Sequence, residues 1–143
     1  GPNDNYHELN SHFFPSLIRK AHEIKVKNKN NLILWGNGLA KREIIYVDDL
    51  ADACIFFMNK KTAHTLINIG TGKDYSIKEY AKRILKLIVP NKKITIKYDR
   101  SKPNGTPRKI LDVSLAKNYG WSAKTDLKDA VLKTYESYKK NNL

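Results

Sequence analysis

Scarcities narrow the reading before any motif does. Cysteine occurs once, at Cys54, so no internal disulfide can form, which fits a reducing compartment. No apolar run approaches the length of a membrane-spanning helix, and the opening residues lack the pattern of a signal peptide. The expectation is a cytoplasmic protein with no membrane partner. Arginine is sparse, at positions 19, 42, 83, 100 and 108 only. Acidic residues are also few, 14 against 27 basic ones, which leaves a formal charge of +13. The cations are therefore nearly all lysine, scattered over helix faces of a chain rich in Lys, Asn and Ile. That scatter argues against nucleic acid as the partner and leaves a phosphorylated small molecule as the better match. What is present is ordinary: 143 residues, 41% of them hydrophobic, enough for one domain with a modest core.

Strand and helix signals alternate, which places the chain in the α/β class, with α+β as the neighbouring choice. Short strands are expected at 32–35, 42–46, 66–69 and 93–98. Five helices are expected. The first runs from an Asn10 or Ser11 cap to about Lys27, with Phe14, Leu17, Ile18, Ala21 and Ile24 as its apolar stripe. The second opens at Asp48 or Asp49 and ends near Met58. The third starts with a Ser76–Glu79 capping box and ends near Val89. A short fourth runs from Ser114 to Gly120, and the last from Thr125 or Asp126 to about Lys140. The second helix is apolar nearly all round (Leu-Ala-Asp-Ala-Cys-Ile-Phe-Phe-Met over 50–58), so it should be covered on more than one side.

The segment Ser101 to Lys109 carries the sharpest chemistry. Two prolines and a glycine make it a loop, and its three cations, with turn N–H groups between them, suit a phosphorylated ligand. Arg42 starts a strand just after a turn. Its guanidinium can fork two phosphate oxygens, although a surface ion pair with Glu43 or Asp48 is the commoner case. Trp35 ends a strand beside two glycines and offers a flat face to a base or sugar, or serves as a core residue. His12, beside Phe13 and Phe14, can act as an acid if partly enclosed, although a structural histidine is the commoner case. His7, His22 and His64 have no partner at ligand spacing, so no metal site is read. Asp48-Asp49 reads as a helix cap and Cys54 as a buried thiol. Neither Gly36-Asn37-Gly38 nor Gly70-Thr71-Gly72 continues into a dinucleotide fingerprint.

The string Arg42-Glu43-Ile44-Ile45-Tyr46-Val47-Asp48-Asp49-Leu50-Ala51-Asp52-Ala53 resembles the distal half of the extended short-chain dehydrogenase/reductases that act on nucleotide sugars. So does Ile67-Asn68-Ile69-Gly70-Thr71-Gly72 with Ser76-Ile77-Lys78-Glu79. Three further segments resemble the GDP-L-fucose synthase family. They are Gly1 to Asn5 with Asn10-Ser11-His12, then Leu34 to Gly38, then Ser101 to Lys109 with Ile110-Leu111-Asp112-Val113. The closing Gly120-Trp121 fits as well.

That resemblance implies the C-terminal, substrate-binding portion of such an enzyme over residues 1–143, with its Rossmann half missing. The family epimerises C3 and C5 of GDP-4-keto-6-deoxy-D-mannose and then reduces the C4 ketone with NADPH, giving GDP-L-fucose. His12 matches the histidine acid and lies near the nicotinamide. Lys20, Trp35, Arg42 and Lys109 match substrate contacts. Asn104 stands where the family has Asp, which weakens the expected preference for guanine. The glycine-rich NADP loop, the catalytic Ser, the Tyr-x-x-x-Lys pair and the catalytic Cys belong to the N-terminal Rossmann half, the chain's implied partner. Residues 47–72 are expected to pack on that half. A homodimer is expected only of the full-length enzyme, and no catalysis of this chain alone.

Overall fold

The computed structural model describes residues 1–142. In chain order the elements are α1 (Phe13–Val26), β1 (Asn31–Trp35), β2 (Lys41–Glu43), α2 (Val47–Met58) and β3 (Asp74–Ser76), then α3 (Ile77–Ile88), β4 (Thr95–Asp99), β5 (Arg108–Lys109), α4 (Ser114–Asn118) and α5 (Leu127–Asn142). Two small sheets result. β1 and β4 pair in parallel, Asn31 opposite Thr95 and Trp35 opposite Asp99. β2 is the centre of the other, antiparallel to β3 and parallel to β5.

The main core lies where α1, α3 and α5 meet the inner face of β1 and β4. The stripe expected on α1 is buried, including Phe14, Leu17, Ile18, Ala21 and Ile24. Period-2 burial of Leu32 and Leu34 turns β1 onto the same core. On α3, Tyr80, Ala81, Ile84, Leu85 and Ile88 are buried at helical spacing. Each such leucine, isoleucine or phenylalanine contributes about 1.5–3 kcal/mol by leaving water. The capping box is formed: Ser76 Oγ accepts from the Glu79 N–H, and Glu79 Oε2 accepts from the Ser76 N–H at 2.8 Å. The Ser76 hydroxyl, which donates to Glu79 Oε2, and then the Ser76 N–H hold the Glu79 carboxyl below its ordinary range.

Several expectations need correction. His12, not Asn10 or Ser11, is the N-cap of α1, and it caps through its backbone, its carbonyl accepting from Ser16 N–H. β2 stops at Glu43, because its pairing with β3 and β5 covers only three residues. Residues 66–69 form no strand, having no ladder partner among the described residues. The end of the 101–109 loop is β5, recruited to the edge of β2. Cys54 is exposed, not buried.

α2 carries apolar side chains on both its inner and outer faces. Its inward face holds Asp49, Ala53 and the half-buried Phe56 and Phe57, with the exposed Asp52 at its edge. Asp49 accepts from the N–H and hydroxyl of Thr125, and Asp52 Oδ2 accepts from the indole N–H of Trp121 at 2.9 Å. Asp49 is therefore a tertiary anchor rather than a helix cap. The outward face is apolar: Leu50 and Val47 are partly exposed, Ile55 is 64% exposed and Met58 83%. A small second core forms beneath α2 from Ala53, Ala116 and Trp121. Trp121 is delivered there by a turn that closes α4: Gly120 adopts φ +93°, its N–H donates to Lys117 O, and Trp121 N–H donates to Ala116 O.

Candidate functional site

Two turns far apart in sequence are locked together on one surface. Gly36 N–H donates to Asp99 O, as the next rung beyond the β1–β4 ladder. Asn37 N–H donates to Asn104 Oδ1 at 2.7 Å. Gly36 must be glycine there: its φ is +63°, and a Cβ would lie 2.4 Å from that same oxygen. The 101–107 loop is held from the other side by Arg42. Its Nη1 donates to Lys41 O at 2.6 Å and to Thr106 O at 2.7 Å. Arg42 pairs with neither Glu43 nor Asp48, and no carboxylate neutralises it among the described residues. It places an unpaired positive charge under the loop.

Trp35 ends β1 and is 53% exposed, so it is not a core residue. The Lys102 ammonium sits 5.6 Å from the centre of that ring. Both border a groove of about 540 Å³ that also takes in Lys20 and Leu9, with Glu8 and Glu23 on its wall. Lys20 Nζ donates to Ile33 O at 3.0 Å. Partial burial, and then the neighbouring Arg19 charge, lower its pKa from the ordinary lysine value.

The other sequence-derived candidates are distributed around this surface. Lys109 sits in β5 opposite Arg42 and lines a separate depression of about 450 Å³ with Glu43, Ile69 and Leu111. His12 lines a third cavity, about 480 Å³, with Tyr75, Tyr80 and Thr125. It is exposed there, not enclosed by the neighbouring phenylalanines. Phe13 lines both the His12 cavity and the Trp35 groove, so the two are neighbours across one ring. Asn104 has given one lone pair of its carbonyl oxygen to Asn37, which leaves its amide N–H2 as its main recognition group.

Two participants were not anticipated. Lys102 stood within the basic loop without being singled out, and only the fold brings it over Trp35. Glu43 is a hub. Its Oε1 accepts from the N–H groups of Thr71 and Gly72, both at 2.6 Å, and from the Thr71 hydroxyl; its Oε2 accepts from Leu111 N–H at 2.8 Å. A glutamate beside a strand arginine carries no sequence signal for such a role. Arg108 is drawn off by Asp74, at 2.5 Å, and does not join the groove.

The fit of a dinucleotide can be tested against these turns. A diphosphate cradle needs glycine-turn N–H groups free to donate. Here those of Thr71 and Gly72 are spent on Glu43, and those of Gly36 and Asn37 on Asp99 and Asn104. These residues do not fit the phosphate end of such a cofactor. The exposed imidazole and the aromatic cavity beside it fit a wall against which the cofactor's reactive ring could lie.

Residues 1–70 match the family model of the NAD-dependent epimerase/dehydratases. The chain is 42% identical, over 141 residues, to the putative GDP-L-fucose synthase 2 of Arabidopsis thaliana. It is also 38% identical, over 150 residues, to the GDP-L-fucose synthase of Escherichia coli strain K12. Each match covers 99% of this chain but only 42% and 46% of the relative, so the chain spans less than half their length and corresponds to their C-terminal part. Among solved structures, a GDP-D-glycero-L-gluco-heptose synthase of Campylobacter jejuni, crystallised in the presence of NADPH, superposes with a TM-score of 0.80 at 28% identity. That match covers 98% of this chain and 50% of the other.

Proposed function

We propose that this chain is the GDP-sugar-binding portion of an NADPH-dependent enzyme of the cytoplasm that converts GDP-4-keto-6-deoxy-D-mannose to GDP-L-fucose. The single observation that carries the reading is the braced basic surface. There an exposed Trp35 under Lys102 stands beside a loop gripped by an otherwise unpaired Arg42. The relatives' names point to the same ligand class.

Trp35 stacks on the nucleotide sugar, and Arg42, Lys20 and Lys102 balance the diphosphate charge. Lys109 adds a cation at the far end of β5. Both epimerised carbons lie α to the ketone, so their protons are acidic and an enolate can form. His12 returns the proton on the opposite face; its exposed imidazole at the mouth of the aromatic cavity can reach a substrate carbon. When bound, NADPH supplies the hydride that reduces C4. The phosphate cradle for it lies in the N-terminal half of the full-length enzyme, as do the groups that would make a homodimer. The chain alone is therefore inactive as a reductase.

The same reading accounts for α2. Its outward stripe of Val47, Leu50, Ile55 and Met58, with the exposed Leu66, is an apolar surface that the cofactor-binding half covers. Residues 47–72 thus form the seam between the two halves.

Calorimetric titration tests the substrate class. Saturable binding of GDP-L-fucose, tighter than that of UDP-glucose or a dTDP-sugar, is the expected result. Equal affinity for all three would replace the guanine reading with a general nucleotide-sugar one, and no binding of any would end both. In the full-length enzyme, His12→Ala should abolish isotope exchange at C3 and C5 while sparing substrate binding. Exchange at the full rate would remove His12 as the acid.

A further inference from the structure

A second basic surface lies away from the Trp35 groove, between α3 and β4. Its cavity of about 520 Å³ is bordered by Lys78, Lys82, Lys86 and Lys92, and no acidic side chain lines it among the described residues. Three of those lysines repeat at i, i+4 and i+8 along α3. Like charges at this spacing repel and destabilise a helix, yet none of the three makes an ion pair among the described residues. The nearby carboxylates are committed elsewhere: Asp99 accepts from the N–H and hydroxyl of Ser101, and Glu79 holds the α3 cap. Lys92 donates to Asn28 Oδ1, and the Lys78 ammonium lies 5.9 Å from the centre of the Tyr98 ring.

The floor of the groove is apolar, made by Leu85, Val89, Ile94, Ile96 and Tyr98. The last three are only half-buried, because β4 is an edge strand with β1 as its one neighbour among the described residues. Thr95 N–H donates to Asn30 O, and Asp99 O accepts from Gly36 N–H, so the odd-numbered residues of β4 face β1. By alternation the backbone groups of Ile96 and Tyr98 point to the free edge. The residues that floor the groove thus also carry unpaired strand N–H and C=O groups beside it. Such an edge is a template for one more strand.

We propose that the α3–β4 groove docks an extended, acidic segment of a partner polypeptide. Its carboxylates would meet the lysine rim, its alternate apolar side chains the floor, and its backbone the free edge of β4. The chemistry favours a polypeptide over nucleic acid. The rim has no arginine, and the single aromatic ring is half-buried under a lysine, so there is no stacking platform for bases. A concave groove with an open strand edge also fits a chain better than a bilayer surface. The inference is independent of the nucleotide-sugar reading.

Fluorescence anisotropy with a fluorescein-labelled peptide of alternating glutamate and valine, titrated with the full chain, tests this. The expected result is saturable binding that weakens at least about tenfold between roughly 50 and 300 mM NaCl and falls by a similar factor in K82E/K86E. Amide resonances of Ile96 and Tyr98 should shift with the same affinity. In Ile96→Pro, which removes one free-edge N–H, binding should weaken although the lysines remain. Absence of saturable binding overturns the proposal. So does unchanged affinity in Ile96→Pro, which would reduce the site to diffuse charge. So does equal or tighter lysine-dependent binding of oligouridylate or of phosphatidylserine vesicles. The exposed lysine substitutions do not touch the core, and the resonance mapping needs no variant.

Discussion

α1 and α2 both bury one face, but they differ in what they leave exposed. α1 turns an apolar stripe inward onto α3, α5 and β1, and its polar side faces water. α2 turns Asp49, Ala53 and the half-buried Phe56 and Phe57 inward but leaves Leu50, Ile55 and Met58 exposed. The α1 region is closed on itself; α2 is anchored by Asp49, Asp52 and the second core and leaves an apolar stripe exposed. On the proposed reading, stability and assembly are written on different elements.

The largest test of that contrast is a pair of equivalent truncations. Ile84→Ala, in the closed region, should cost about 2–5 kcal/mol in denaturant unfolding. Ile55→Ala, on the outward face of α2, should stay within about 0.5 kcal/mol in this chain. It should become costly in the full-length enzyme if the seam is real. Equal costs in the chain alone would erase the distinction.

Next comes Arg42, which joins the two regions through β2. Arg42→Ala should weaken GDP-L-fucose binding by about 1.5–3 kcal/mol, the scale of charge-assisted hydrogen bonds. An unchanged dissociation constant would confine Arg42 to loop bracing. Glu43→Gln should destabilise by about 1–3 kcal/mol, because an amide cannot accept from all the N–H groups that the carboxylate serves. Faster hydrogen exchange at Thr71, Gly72 and Leu111 would report it. Wild-type exchange at those three would show that the turn does not depend on the carboxylate.

The smallest effect concerns Lys20. Burial already disfavours its charged form, so its pKa lies below the ordinary lysine value. An anionic diphosphate in the groove favours the charged form. Binding should thus take up protons, and affinity should fall as pH rises through the lowered pKa. Calorimetry in buffers of different ionisation enthalpy measures the uptake. Proton release, or none, would place Lys20 outside the site.

The α1 stripe, the α3 capping box and the turn at Gly120 were legible because each is a local pattern with a local cause. Ser76 and Glu79 sit three residues apart and satisfy each other without help. The strand expected at 66–69 failed for the opposite reason: β-branched residues favour a strand, but a strand exists only where another pairs with it. β5 and β3 were invisible because they are two and three residues long and owe their conformation to β2. At the candidate site the residue types were readable and their grouping only partly so. Trp35 and Lys20 share one groove, and Arg42 braces the neighbouring loop. Lys109 and His12 line adjoining cavities. Glu43 and Lys102 act through partners 28 to 68 residues away, a separation that no motif spans.

The central claim is that the surface built by the 36–38 turn and the 101–107 loop binds the guanosine diphosphate end of the substrate. Titrating GDP into the ¹⁵N-labelled chain tests it most directly. The account predicts that the Trp35 indole N–H and the amides of residues 102–106 shift together with one affinity, while the buried Trp121 indole stays still. Shifts confined to the lysine rim of α3, with Trp35 unmoved, would contradict it.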